Sequence, residues 1–233
     1  MISREVIYSH ENTTLKGYFS SPSQGPNPCV LIAPAWSGRN QFVIDRAHAL
    51  SKLGYAAFAL DMYGDAKLGS NKKECASLMA PLMEDRFLLR DRILQGLECA
   101  RNQSEVAENS MAAIGYCFGG LCALDLARSG VEINGVVSFH GLLDAPPKTQ
   151  TIQAKVLALH GYDDPMAPPE KVLDFAKEMT KANADWQMCL YGNTVHAFTN
   201  PLANDPDFGT VYNEKADHRS WQSMTNFLKE VFG

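Results

Sequence analysis

The sequence predicts an α/β protein with a mostly parallel central sheet, helices on both faces of the sheet and an antiparallel strand pair at the N-terminus. From residue 29 onward, short apolar runs alternate with segments of helical periodicity. These runs are apolar throughout rather than at every second position, which is typical of strands covered on both faces. The 233 residues are enough for one large domain, and we expect a single domain over 1–233.

The antiparallel pair is predicted from SREVIYSH and LKGYFSSP, which the polar ENTT joins. The run CVLIAPA then predicts the first parallel strand. Asn40 stands where a helix cap is expected, and Gly54 stands where that helix should end. The residues expected on its inner face are Val43, Ala47, Leu50 and Leu53.

The same alternation continues to the end of the chain. Further strands are predicted at 55–64, 110–116, 133–141, 154–161 and 185–192, the last of these closing the series. Helices are predicted at 85–101, 119–128 and 169–181, and after Asp217. The expected inward residues are Leu89, Ile93, Leu97 and Ala100 in the first of these helices, and Trp221, Met224, Leu228 and Val231 in the last.

Three stretches without a strong periodic pattern are expected to form the walls and cover of a pocket. They span residues 62–84, 142–153 and 197–216, and each begins where a predicted strand ends. In open α/β sheets, ligands bind outside the carboxyl ends of the strands.

Composition argues against several functional classes. Acidic side chains number 26 against 21 basic ones, giving a net charge of −5, and no basic stripe suggests nucleic acid. The N-terminus reads as neither a secretory signal nor a membrane span, so we expect a cytoplasmic protein without a membrane partner. The six cysteines show no CxxC or zinc spacing, which fits a reducing compartment.

One cysteine lies between glycines in AAIGYCFGG. Gly115, Cys117 and Gly119 form GxCxG between a predicted strand and a predicted helix. A nucleophile elbow has this arrangement, because small neighbours let the central side chain stand exposed. N–H groups at a helix start favour an anion, so we expect Cys117 to ionise more readily than a free cysteine. Tight packing alone would also explain the glycines, so other residues must decide.

An acid and a histidine follow two later strands. Asp163 and Asp164 come directly after KVLALHG, and His196 follows WQMCLYG. The carboxyl ends of parallel strands meet at one sheet edge, which is also the edge expected for Cys117. The chain order of nucleophile, acid and histidine is that of α/β-hydrolases. We therefore predict a catalytic group of Cys117, Asp164 and His196, with Asp163 as the alternative acid.

The other histidines are interpreted as structural, because they lack metal-ligand spacing. His140 and His160 end predicted strands and are placed to line the pocket edge. No metal or organic cofactor is implied.

These residues resemble the dienelactone hydrolase family, cysteine-dependent proteins of the α/β-hydrolase fold. The resemblance runs through VLIAPAWSGRN, LGYAAFALDMYG, AAIGYCFGG, LHGYDDPMAPPEKV and YGNTVHAF. It implies Cys117 as nucleophile, Asp164 as acid and His196 as base, cleaving a small ester or lactone through a covalent acyl-enzyme. It also implies an oxyanion hole formed by the backbone N–H groups of Trp36 and Phe118.

The chain departs from the family pattern at two positions. Ala35 replaces a glutamate that interacts with the thiol in the best-known members, so the thiol must rely on His196 and the helix start. Asn200 replaces an arginine with which members bind a lactone carboxylate, and asparagine offers neither charge nor a forked donor pair. Arg86 is interpreted as a surface arginine. The usual anionic lactone is therefore an open question.

Two other classes of function remain open. A thioesterase or acyl transferase would use the same triad, because pocket shape selects the substrate. A redox or ligand-binding protein that kept the fold would react at Cys117 without depending on Asp164. The oligomeric state is not predicted, although Phe208 and Tyr212 suit an interface or a pocket cover.

Overall fold

The computed structural model describes all residues, 1–233. The chain divides into two compact units, Met1–Ile114 and Gly115–Gly233. The organisation as a single domain stays a prediction.

The first unit contains the antiparallel pair, the first parallel strands and three helices. Their bounds are β1 Ile2–His10, β2 Thr13–Ser21, β3 Asn27–Ala33, α1 Gln41–Lys52, β4 Ala56–Ala59, α2 Lys72–Glu84 and α3 Arg86–Arg101, followed by β5 Val106–Tyr116, which continues into the second unit.

The second unit alternates helices and strands. Its elements are α4 Phe118–Arg128, β6 Gly135–Phe139, β7 Lys155–Gly161, α5 Pro169–Lys181, β8 Trp186–Tyr191, the short strands β9 Asn204–Asp205 and β10 Thr210–Val211, and α6 Glu214–Phe232. None of the helices in the structure combines the length and the apolar character that crossing a membrane requires.

Eight strands form a mixed sheet in the order β1-β2-β4-β3-β5-β6-β7-β8. In the first unit β2 pairs antiparallel with β1 and β4, whereas β3 and β4 are parallel. In the second unit β7 is parallel to both β6 and β8. The predicted fold class and the N-terminal antiparallel pair are confirmed.

Apolar burial explains why these segments form strands and helices. Five consecutive residues of β3 and all five of β6 are buried, as expected for strands covered on both faces. In α3, the predicted inward residues Leu89, Ile93, Leu97 and Ala100 are all buried. Asp85 begins this helix by accepting hydrogen bonds from the N–H groups of Phe87 and Leu88, each 3.0 Å long.

The structure corrects the prediction for residues 62–84, because 72–84 form helix α2. Asn71 caps it, accepting the Glu74 N–H at 3.0 Å. Only Cys75 and Leu82 of α2 are buried, and Pro81 lies inside it. An apolar stripe this narrow, interrupted by proline, gives little periodic signal.

Three details of these predictions were wrong. Asn40 is the residue before α1, as expected, but its side-chain amide donates to the Ser37 hydroxyl at 3.1 Å and caps no helix N–H. Leu53, expected inside, is 48% exposed at the end of α1. The strand at 185–192 is not the last, because β9 and β10 follow it.

Segment 142–153, one of the predicted pocket walls, has no helix or strand and is anchored by Arg128 at the end of α4. The guanidinium is fully buried and pairs with Glu178 of α5 at 2.6 Å. It also donates to the Leu143 carbonyl at 2.9 Å, so one buried cation fixes the segment against two helices.

Leu31→Ala tests the buried core of β3. Leu31 is fully buried, so removing its side chain leaves a cavity and lowers the free energy of unfolding by about 2–5 kcal/mol. Leu202→Ala is the control, because Leu202 is 90% exposed and its loss costs at most about 0.5 kcal/mol. Urea unfolding measures both, and equal midpoints would contradict this account of the core.

Candidate active site

Cys117 lies at a sharp turn between β5 and α4. Its backbone has φ 57° and ψ −119°, a conformation that a residue with a side chain rarely adopts. The turn is tied on both sides: the Cys117 N–H donates to the Phe139 carbonyl at 3.0 Å, and the Cys117 carbonyl accepts the Gly120 N–H at 2.8 Å. This is the backbone geometry of a nucleophile elbow.

The glycines around Cys117 are required by close backbone approaches. A Cβ atom at Gly115 would overlap the carbonyl oxygen of Gly119. One at Gly120 would lie 2.6 Å from the Ser138 Oγ and 2.7 Å from the Gly141 Cα. The strand, the turn and the first helical turn therefore pack more closely than any other residue would allow.

His196 and Asp164 form a buried hydrogen bond. The Nδ1 atom of His196 lies 2.7 Å from Oδ2 of Asp164, and each residue is 1% exposed. The other Asp164 oxygen accepts the Met166 N–H at 2.8 Å, so the carboxylate has little freedom to rotate. Asp163 instead accepts the Thr194 N–H at 3.2 Å. Of the two candidate acids, Asp164 is therefore the one that contacts the histidine.

The backbone of His196 is held by the short hairpin of β9 and β10. Its N–H donates to the Gly209 carbonyl at 3.0 Å, and its carbonyl accepts the Val211 N–H at 3.1 Å. Gly209 has φ 76° and packs against the Pro165 ring, beside Asp164. Residues 204–211 thus fix the histidine and its acid together. The sequence predicted only a pocket cover here, because two-residue strands leave no periodic pattern.

The charge on the His196 ring is governed by its two acidic neighbours. Burial opposes the charge, but the Cys117 thiolate and the Asp164 carboxylate outweigh burial and raise the pKa of His196 to about 10. The ring's Nε2 atom is buried, and Cys117 interacts with the ring. Cys117, His196 and Asp164 are thus brought together in the second unit, with the histidine between the thiol and the acid.

Two histidines that the sequence left as structural surround this group. His140 is 2% exposed, and its ring lies 5.1 Å from the His196 ring in an edge-to-face arrangement. His160 contacts the Ala167 carbonyl through Nε2 at 2.8 Å, and burial lowers its pKa. Each ends a predicted strand, and this position was the only sequence signal for either.

The other residues singled out in the sequence lie at helix starts or in turns. Trp36 belongs to the first unit, where the Tyr63 hydroxyl donates to its carbonyl at 2.8 Å. Phe118 is the buried first residue of α4, and Arg86 is the half-buried first residue of α3. The Asn200 side chain accepts the Leu202 N–H at 3.1 Å and so shapes its own turn.

No three His, Cys, Asp or Glu side chains are arranged to hold a metal ion. The site presents a thiol beside an imidazole whose other nitrogen meets a carboxylate, an arrangement that suits nucleophilic catalysis.

The chain is similar to several known proteins. The model of the dienelactone hydrolase family matches residues 15–232. A dienelactone hydrolase-like promiscuous phosphotriesterase from metagenomic libraries superposes with a TM-score of 0.94 and 37% identity, over 100% of this chain and 99% of the other. A second solved structure, m3DLH, has a TM-score of 0.93 and 35% identity, with 100% and 99% covered. A Yersinia pestis protein provisionally named carboxymethylenebutenolidase is 26% identical, covering 97% of this chain and 87% of its own.

Thiolate absorbance near 240 nm tests the charge pair. Because the pKa of His196 is raised from 6.5 to about 10, we expect the ring to stay protonated at pH 7 and to stabilise a thiolate on Cys117. The spectrum of the wild type minus that of Cys117→Ser should contain about one thiolate at pH 7 and keep it to pH 9.

The same difference measured in a His196→Asn background should show little thiolate at pH 7. A neutral thiol in the wild type at pH 7, or an unchanged thiolate in His196→Asn, would contradict the coupling.

Proposed function

Because the chain belongs to the dienelactone hydrolase family, whose members hydrolyse esters and lactones, we propose that it cleaves a small ester or lactone through a covalent acyl-enzyme on Cys117. Asp164 and His196 complete the proposed triad. The observation that carries the proposal is the buried His196 ring, which meets Asp164 at 2.7 Å and interacts with Cys117.

Acylation begins from the thiolate of Cys117 and the protonated ring of His196. The thiolate attacks the substrate carbonyl carbon, and the π electrons move to oxygen to form a tetrahedral oxyanion. Collapse of this intermediate breaks the ester C–O bond, and His196 gives its proton to the departing alkoxide. The products are an alcohol, or the open end of a lactone, and a thioester on Cys117.

Deacylation uses the now neutral His196 as a base. The ring takes a proton from water while the hydroxyl oxygen attacks the thioester carbonyl. A second oxyanion collapses and breaks the C–S bond, which releases the acid and restores the thiolate beside the protonated ring. Asp164 holds the ring in one tautomer and stabilises its charge throughout.

The oxyanion needs hydrogen-bond donors aimed at it, and the backbone N–H groups of Phe118 and Trp36 are proposed for this role. The N–H groups of the first helical turn do not bond to carbonyls of the same helix and point out of its start. The position of Phe118 at the start of α4 therefore favours it as a donor. The bond from Tyr63 to the Trp36 carbonyl restrains the loop that carries the second proposed donor.

Activation of the thiol does not require the family glutamate in this proposal. The methyl side chain of Ala35 has no group that could activate a thiol. The raised pKa of His196 instead favours an ion pair of thiolate and imidazolium in the resting protein. Asn200 and its turn likewise offer no forked cation for a carboxylate, which favours a neutral ester or lactone.

A second candidate activity is hydrolysis of phosphotriesters. It is favoured by the 37% identity to a promiscuous phosphotriesterase of the same family over the whole chain. A thiolate that attacks a carbonyl carbon also suits attack at phosphorus, with the same histidine protonating the leaving alkoxide. A thioesterase with the same triad stays a third candidate.

A substrate panel with Cys117→Ala tests the function and ranks the candidates. The wild type should give a burst of one 4-nitrophenol per site with 4-nitrophenyl acetate, followed by steady turnover. Cys117→Ala should lose about a thousandfold or more of this turnover. Cys189→Ala, which removes another half-buried thiol, should keep it.

The kcat/KM values for an aryl ester, a thioester and an aryl dialkyl phosphotriester then identify the preferred class. Turnover by clean Cys117→Ala protein at the wild-type rate would overturn the proposal.

The adjacent aspartates supply a matched pair of variants. Asp164→Asn should lower kcat about 10²–10⁴-fold, because an amide no longer fixes the tautomer or the charge of His196. Asp163→Asn keeps an oxygen for the Thr194 N–H and should stay within about fivefold of the wild type. Equal losses in both would contradict the assignment of the acid.

Peroxide oxidation of Cys117, measured in the same variants, separates the redox alternative. A redox protein would keep its peroxide reactivity in Asp164→Asn and show no ester turnover in the wild type.

A further inference from the structure

His140 touches the candidate nucleophile, its base and the loop behind the base. It follows β6 directly and has φ 39°, an uncommon backbone conformation for a residue with a side chain. Its own N–H donates to the Leu159 carbonyl at 2.8 Å, which ties this turn to β7. The uncommon backbone conformation costs free energy, and both nitrogens of the ring have hydrogen-bond partners. Packing alone would not require either feature.

The hydrogen bonds of the ring determine its tautomer. Nδ1 lies 3.2 Å from the Cys117 backbone nitrogen, and because an N–H donates there, Nδ1 accepts. Nε2 therefore carries the ring's proton and donates to the Thr199 hydroxyl at 2.8 Å. The ring is neutral in this arrangement, because a second proton on Nδ1 would face the N–H of Cys117.

The His140 ring also packs edge-to-face against the His196 ring. Their centroids are 5.1 Å apart and their planes lie at 65°, and the centroid of the Phe198 ring is 5.0 Å from that of His140, with the planes at 81°. A neutral ring at this distance leaves the charge on His196 unopposed, whereas a charged one would repel it. His140 thus contacts Cys117 by hydrogen bond and His196 by ring packing.

We propose that His140 is a positioning residue, whose neutral ring, fixed by Thr199, holds the Cys117 turn and the His196 ring in register with each other. This inference rests on the proposed function, because it concerns the alignment of the thiol and the imidazole. His140 acts through these two residues and makes no bond to the substrate.

Two pairs of variants test the proposal. His140→Leu removes the acceptor, whereas His140→Asn keeps an oxygen near the Nδ1 position and tolerates the positive φ. Thr199→Val removes the hydroxyl and keeps the shape, so the ring is free to change tautomer, whereas Thr199→Ser restores the hydroxyl. The readouts are kcat and KM for 4-nitrophenyl acetate, the rate of Cys117 alkylation by iodoacetamide and the midpoint of thermal unfolding.

We expect His140→Leu to lower kcat and the alkylation rate on the order of 10–100-fold, with KM within about twofold. His140→Asn should recover most of the loss. Thr199→Val should lose about 5–10-fold and Thr199→Ser much less, since only the hydroxyl separates them. A merely structural role would instead change the unfolding midpoint and leave the alkylation rate of the folded protein unchanged.

Each outcome bears on one proposal. Folded His140→Leu with wild-type kcat and alkylation rate, or equal rates in Thr199→Val and Thr199→Ser, would overturn the role of His140 while turnover still depended on Cys117. If His140→Leu fails to fold, the Thr199 pair decides alone. Turnover that survives Cys117→Ala would overturn the proposed function itself.

Discussion

The close approach of Gly115 to the Gly119 carbonyl is the constraint on which the site depends. It lets the chain pass from β5 into α4 within a single residue, Cys117, which has a strained backbone conformation. Such strain persists only where surrounding bonds over-determine it. Here the Phe139 carbonyl and the His140 ring both hold the Cys117 N–H, so the strand next to the turn also stabilises it.

The histidine and the acid are held in place by backbone hydrogen bonds of two loops. Asp164 accepts a backbone N–H from its own turn, and His196 is clamped at its N–H and carbonyl by the residues around Gly209. Because Gly209 packs on Pro165, the two loops restrain each other. The distance of 2.7 Å between the histidine and the acid is thus set by loop backbone.

Much of the fold was predictable because buried strands and amphipathic helices leave periodic patterns. The alternation and GxCxG predicted β5, α4 and the turn at Cys117, and chain order predicted His196 and one of two adjacent aspartates as its partners. Helix α2 was not predicted, because its apolar stripe is narrow. The hairpin at 204–211 was not predicted either, because its strands are only two residues long. The contacts of His140 with Cys117 and Thr199 were not predicted, because these partners lie 23 and 59 residues away along the chain. No local pattern reports such contacts, and spacing alone did not separate Asp164 from Asp163.

The clamp on His196 also divides the final loop into parts with different tolerance for evolutionary change. Gly209 and Val211 bind the histidine backbone, so an insertion there would shift the ring. Leu202, in contrast, is 90% exposed at the tip of the same loop. Lengthening the chain at this tip would add surface to the protein without disturbing the clamp. Relatives with new binding surfaces are therefore expected to carry their extra residues near position 202.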